Sequence, residues 1–256
     1  IHNKIENIGF GAFDSCIRLT KENLTFSNKL FYIGDSAFRN CTNLKGHLIL
    51  PDSLRNIGAH AFEFCTGFKN TLEIPGSIKN IFNNTFAQCR GFSSLILHEG
   101  LLQIYSSAFY NCTGLVSSLE FPSSLHYLEP YAFYNCTGIT GSLNLSNIER
   151  IIGRYAFYNC IKLKGTLTLG EGVTTVGEYA FYKCSGLSGQ IYLSRYISQI
   201  EQYAFYGCSN LEGPLNFSSN LEEIGKVNKP IFAAWENSIF IQIKNHISSH
   251  IIEANI

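Results

Sequence analysis

Nine cysteines are the residues of this 256-residue sequence best equipped for chemistry, as nucleophiles, metal ligands or disulfide partners. They stand at Cys16, Cys41, Cys65, Cys89, Cys112, Cys136, Cys160, Cys184 and Cys208, with successive spacings of 25, 24, 24, 23, 24, 24, 24 and 24 residues. A tetrahedral metal site needs close clusters such as C-x-x-C, and none occurs. Disulfide frameworks staple small domains that lack a core, whereas this chain is 45% hydrophobic and 14% aromatic. One cysteine per repeat in a single column would set neighbouring Cα atoms about 5 Å apart, within bridging range, so distance alone does not forbid bridges, although nine cannot all pair. The expectation is buried free thiols that act as small hydrophobes and weak hydrogen-bonders.

The remaining chemistry is sparse. H-E-x-x-H, G-x-S-x-G, G-x-G-x-x-G and G-x-x-x-x-G-K-[ST] are absent. His98-Glu99 runs on into glycine and leucines rather than a second histidine, and His246 and His250 share a helical spacing without an evident third ligand. The acidic residues are scattered, and no pair is fixed as an acid/base couple. No catalytic, cofactor-binding or metal-ligating residue is assigned, no cofactor is expected, and the chain reads as a non-enzyme.

The elements that hold the cysteines form a repeat. A phenylalanine lies three residues before every cysteine (Phe13, Phe38, Phe62, Phe86, Phe109, Phe133, Phe157, Phe181 and Phe205), and alanine precedes it in eight of nine cases, Thr85 being the exception. From each cysteine the unit reads C-x-x-L-x-G-x-L-x-L-P-x-S-L-x-x-I-G-x-x-A-F-x-x. Its L-x-L step has the two-residue period of a short strand with both leucines inward. L-x-x-I-G supplies a second extended piece, and A-F-x-x-C a tight helical turn. A single unit cannot bury its inward residues, so neighbours must stack. The first unit carries an extra residue near Lys21-Glu22-Asn23, the fourth lacks one between Phe92 and Leu95, and the register of the sixth is ambiguous around 148–152. The fold expected is a solenoid of about nine 24-residue rungs, with a parallel β-sheet on one face and short strands and helical turns on the other.

The pattern I-G-x-x-A-F-x-x-C-x-x-L, followed by L-x-(I/L)-P-x-S-(L/V)-x-x-I, resembles the BspA-like leucine-rich repeat proteins, and the 24-residue spacing with C-T-G-L resembles their protist, trichomonad-like versions. The resemblance covers about residues 5–225. It implies a cell-surface or secreted protein whose partner is a host cell-surface or extracellular-matrix protein. The competing reading is an intracellular structural or assembly repeat protein, favoured by unpaired cysteines.

After Gly225 the motif fails: Pro230, Phe232 and Trp235 replace A-F-x-x-C. The domain reading is therefore a solenoid over 1–225 and an atypical C-terminal repeat or cap over 226–256. The chain has no methionine and opens on half a unit, so it is expected to be a processed chain or a fragment. With 19 basic and 19 acidic residues nothing indicates a nucleic-acid partner, and no apolar run reaches the roughly 18 residues of a membrane span.

In a solenoid the outward positions form stripes. Between the inward strand residues stand Glu73, Ile96, Glu120, Asn144, Thr168 and Tyr192, the candidate protein-binding face, with Ile96 and Tyr192 as anchors. The plainer alternative is a soluble β-face whose threonines suit strands. Tyrosines flank the A-F pair in the C-terminal half: Tyr131, Tyr155, Tyr179 and Tyr203 before it, and Tyr134, Tyr158, Tyr182 and Tyr206 after it, extended by Tyr110. They read first as rings packed rung on rung and second as a binding surface. Seven N-x-[ST] sequons, three of them N-C-T, are permissive for glycosylation of a secreted chain.

Overall fold

The structure, a computed structural model, describes residues 4–212 and 223–224. The proposed cap and the His246–His250 pair lie outside the described residues. Each rung passes through three segments: a front strand built on L-x-L, a short second strand ending in the isoleucine of x-I-G, and a run of turns carrying A-F-x-x-C. All strand pairings are parallel, each between one rung and the next. The rungs share one core, in which Phe38, Cys65, Leu72, Ile104 and Leu143 are among the buried residues.

The most continuous sheet is formed by the second strands rather than by the front ones. Asn7–Ile8, Tyr32–Ile33 and Asn56–Ile57 make a three-stranded sheet, and Asn80–Ile81 through Gln199–Ile200 to Glu223–Ile224 make a seven-stranded one. The front strands form separate pairs: Lys21–Thr25 with Leu44–Ile49, Asn70–Ile74 with Phe92–Leu97, Leu143–Leu145 with Leu167–Leu169, and Ser188–Gln190 with Asn210–Glu212. The parallel front face is thus built of strand pairs, joined by single bridges such as Gly46 with Phe68 and Thr168 with Tyr192. Five rungs carry a left-handed residue at the start of the front segment: Gly46 (φ 70°), Asn70 (φ 65°), Gly141 (φ 81°), Gly165 (φ 74°) and Gly189 (φ 78°). A Cβ on Gly46 would strike the carbonyl oxygen of Glu22 on the rung before. The fourth rung lacks this residue. The fifth has Ser117 in its place, at negative φ, and carries no front strand.

The A-F-x-x-C segment is a chain of turns, and no helix occurs among the described residues. In the second rung the amides of Ala37, Arg39 and Cys41 close turns onto the carbonyls of Gly34, Ser36 and Phe38 at 3.1–3.2 Å. The intervening amides of Ser36, Phe38 and Asn40 donate to Ala59, Ala61 and Glu63 of the next rung at 2.7–2.8 Å. A helix would consume every amide locally; stacking requires alternate amides to face the neighbouring rung. That alternation sets two positions per rung at positive φ, such as Ser36 (55°) and Asn40 (57°).

Phenylalanine rings stack down this face from Phe13 to Phe205, with centroids 5.0–5.6 Å apart. Beside them each cysteine from Cys41 to Cys208 donates its S–H to the phenylalanine carbonyl of the rung before, as in Cys65 Sγ to Phe38 O (3.0 Å) and Cys136 Sγ to Phe109 O (3.1 Å). The Phe38 carbonyl therefore accepts from Cys41 N–H and Cys65 S–H, which satisfies a buried acceptor twice. Thr85, in the alanine column, is buried and solves the same problem by donating to Phe82 O and lying 3.2 Å from Gly58 O. Gly91 admits close backbone approach: a Cβ there would collide with the carbonyl oxygen of Phe68.

The irregular units resolve as bulges. The extra residue of the first produces a register shift between Lys21 and Asn23. In the sixth, Ile148 and Ile152 are both buried, and the surplus residue is Arg150, at φ 63°, where the register again shifts.

Candidate functional site

The front strands place Leu48, Leu50, Leu72, Ile74, Leu95 and Leu97 inward, so the residue between each pair must face outward. All six candidate residues of this column are exposed. Ile96 keeps 44% of its surface open and Tyr192 68%, and Ile49, in the same column, 51%. The structure brings the six together in two groups. Glu73 lies directly across from Ile96. Asn144, Thr168 and Tyr192 follow one another on three adjoining rungs. Glu120 stands between the groups on the fifth rung, which forms no front strand and keeps a single bridge, Ser118 with Thr140.

Around the first group the face is hollowed into a groove of about 740 Å³, lined among others by His47, Ile49, Asp52, Glu73, Pro75 and His98. Glu73 Oε1 is 2.6 Å from His98 Nε2 on the next rung. At the rim, Glu99 accepts from the Ser123 and Ser124 amides at 2.8 and 3.3 Å, and these bonds hold its carboxyl below the usual range. Sequence reasoning treated His98-Glu99 only as a failed zinc motif. The 25-residue offset from Glu73 to His98, one rung, is the signal that joins them.

The tyrosines form two stacked ladders. Tyr110, Tyr134, Tyr158, Tyr182 and Tyr206 run in one with centroids 4.7–5.2 Å apart, and Tyr131, Tyr155, Tyr179 and Tyr203 in the other at 4.7–4.8 Å. Rings of the two ladders also meet obliquely, as Tyr155 and Tyr158 do at 5.6 Å. All nine are half-buried. Desolvation first, then the Glu178 charge and the neighbouring rings, push the Tyr155 phenol up to about 12. Arg154 lies over the Tyr131 ring at 5.7 Å and Lys183 over the Tyr182 ring at 5.4 Å.

All nine cysteines are free, and those of the interior are buried. Desolvation pushes their thiols upward, Cys136 to about 12, which opposes the thiolate that nucleophilic or metal chemistry requires. Among the described residues no group of three or more His, Cys, Asp or Glu is placed to hold a metal ion. No helix there is long and apolar enough to cross a membrane. The arrangement is fitted to contact, through outward columns on a stiff ladder.

The family model described as BspA type leucine rich repeat region, with six copies, matches residues 6–140 and 140–250. The chain belongs to the BspA-type leucine-rich repeat family. Solved leucine-rich repeat structures agree on the fold. That of T. pallidum is 23% identical, with TM-score 0.53 over 75% of this chain and 78% of its own. That of Eubacterium ventriosum is 16% identical, with TM-score 0.57 over 80% of this chain and 57% of its own. No curated protein matches the chain. Within this BspA-type scaffold the A-F-x-x-C columns are structural, and the outward columns are free to differ from rung to rung.

Proposed function

We propose that the chain is a non-enzymatic protein-binding scaffold that works as a module of a cell-surface or secreted adhesin or antigen, its partner a host cell-surface or extracellular-matrix protein. The observation that carries this reading is the front column, where Ile49, Ile96 and Tyr192 hold apolar surface open to water on a hydrogen-bonded face. Isolated apolar residues at a surface are ordinary; three in one outward column, one of them lining a groove, suit an interface. A stable interface buries about 800 Å² per partner, so the contact must cross several rungs. Residues 226–256 serve in this scheme as the closing cap of a solenoid spanning 1–225.

Surface plasmon resonance against immobilised matrix proteins tests the reading. Ile96→Ser/Tyr192→Ser should weaken binding at least about tenfold, while Tyr134→Ser/Tyr158→Ser should leave it within about twofold once folding is matched. Loss in the tyrosine-ladder variant alone moves the site to the turn face. Absence of binding by folded wild type favours the second reading, an intracellular assembly protein, which the column of free thiols supports.

A further inference from the structure

Charged side chains that meet across neighbouring rungs are, in most of this solenoid, of complementary sign. Arg39 Nη2 is 2.7 Å from Asp14 Oδ2, His98 Nε2 is 2.6 Å from Glu73 Oε1, and Arg195 Nε is 3.5 Å from Glu171 Oε2. Lys45 and Lys69 depart from that rule. Each directly follows the buried residue that opens its rung's front segment, Leu44 or Phe68, on adjoining rungs, and both are exposed. No ion pair or side-chain hydrogen bond engages either lysine among the described residues. The backbone bridge pairs Gly46 with Phe68, so the two lysines are not directly opposite, but both line one groove, where their like charges repel. Lys164, at the equivalent position of the seventh rung, has Thr140 and Ser188 as its column neighbours and no such conflict.

The two lysines, with Thr66, Asn70 and Ser93, line a groove of about 480 Å³ in which no carboxylate takes part. We propose that this groove binds an acidic polysaccharide with a negative group on every sugar, lying along the solenoid axis. Adjacent strands are about 4.8 Å apart, close to the length of one sugar residue, so successive lysines meet successive acidic groups. Phosphates of duplex nucleic acid recur at about 3.4 Å per strand and fall out of step with the rungs. The hydroxyls of Thr66 and Ser93 and the Asn70 side-chain oxygen supply donors and acceptors that sugar hydroxyls require, while Asn70 Nδ2 lies 3.1 Å from His47 Nε2. The front-column residues Ile49, Ile96 and Tyr192 take no part in this groove, so the inference stands independently of the protein-binding reading.

Titration calorimetry of the full chain with a short oligogalacturonate at low ionic strength tests it. Binding should weaken as salt rises and at least about tenfold in Lys45→Gln/Lys69→Gln. It should persist in Lys45→Arg/Lys69→Arg and in Lys164→Gln, and be lost with the methyl-esterified oligomer. Urea melts of the exposed-site variants confirm that each folds. The proposal is overturned if the double glutamine variant binds like wild type, if the neutral ester binds equally, if an oligonucleotide of matched charge binds as tightly, or if wild type does not bind at low salt.

Discussion

The turn face carries the same backbone in both halves of the molecule and different side chains upon it. Before the A-F pair, the N-terminal rungs have Ser36, His60, Asn84 and Ser107, and the C-terminal rungs Tyr131, Tyr155, Tyr179 and Tyr203, all at φ between 55° and 60°. Small polar residues tolerate the left-handed region through local hydrogen bonds; His60 Nδ1 lies 2.8 Å from Glu63 Oε2. Tyrosine there is strained. The stacked ladders supply the offset, because each ring meets a ring on the next rung at 4.7–4.8 Å. The left-handed conformation is thus demanded by the inter-rung hydrogen bonds, and the two halves meet that demand by different means.

The largest expected effect tests what the halves share. Burial raises the thiols on both sides of the divide, Cys136 to about 12 and Cys208 to about 12, against about 8.5 in an unfolded chain. From about pH 8.5 upward the unfolded state loses protons that the folded state keeps, so stability present below that pH declines as pH rises towards 12. Each such thiol contributes a slope of up to about 1.4 kcal/mol per pH unit, enough in concert to unfold the chain in alkali. Urea melts from pH 8 to 11 should show a steep fall that flattens in Cys→Ala variants. Counting thiols in denatured, unreduced protein should return nine, whereas a count of one would mean four disulfides.

Core truncation comes next. Phe62→Ala and Phe157→Ala, one in each half and both flanked by stacked rings, should each cost about 3–5 kcal/mol. Phe13 has a stacking partner on one side among the described residues and is half-buried, so Phe13→Ala should cost less. Unequal losses at Phe62 and Phe157 would mean that the halves differ in their core as well as on their surface.

Legibility in the sequence follows the same division. The cysteine and phenylalanine columns are plain because the 24-residue period exposes them, and the bulge in the first unit is visible as a surplus residue. The turns are not, because A-F-x-x-C has the three-residue spacing of a helix, and only neighbouring rungs reveal that alternate amides are claimed elsewhere. The gap in the front face is not legible: the residue missing between Phe92 and Leu95 can be counted, yet that segment forms a paired strand, and the rung without one is the fifth, whose length is regular. The alternation of the L-x-L step makes the six front residues outward, whereas the meeting of Glu73 with His98 depends on a cross-rung contact.

A smaller effect separates the two ways of holding the left-handed position. Tyr155→Ala removes two stacked contacts and keeps the strained backbone, for a loss of about 1–3 kcal/mol. Tyr155→Gly removes the same contacts and relieves the strain, so it should be milder by about 1 kcal/mol. At Asn84, alanine should cost about 1 kcal/mol or less and glycine close to nothing. Equal losses for Tyr155→Ala and Tyr155→Gly in denaturant melts would remove strain from the account.

The smallest effect lies where the two halves join. The fifth rung carries no front strand at Leu119–Phe121, whereas Leu143–Leu145 and Leu167–Leu169 are paired residue for residue. The second strand of that rung, Tyr127–Leu128, stays within the seven-stranded sheet, and Phe133 next to it remains stacked on both sides. Local opening of the front segment therefore need not disturb the core, and its free energy should be low. Amide hydrogen exchange should be fastest along the front face at 118–121, by about one to two orders of magnitude over Leu167–Leu169, since about 1.4–2.8 kcal/mol of local stability is at stake. Ser117→Gly supplies the residue found at this position in the second, sixth, seventh and eighth rungs and should narrow that gap without shifting the global melt. Exchange at 118–121 as slow as at 167–169 would show that the front face is held through the core rather than by its own pairing, and the boundary between the halves would then have no energetic counterpart.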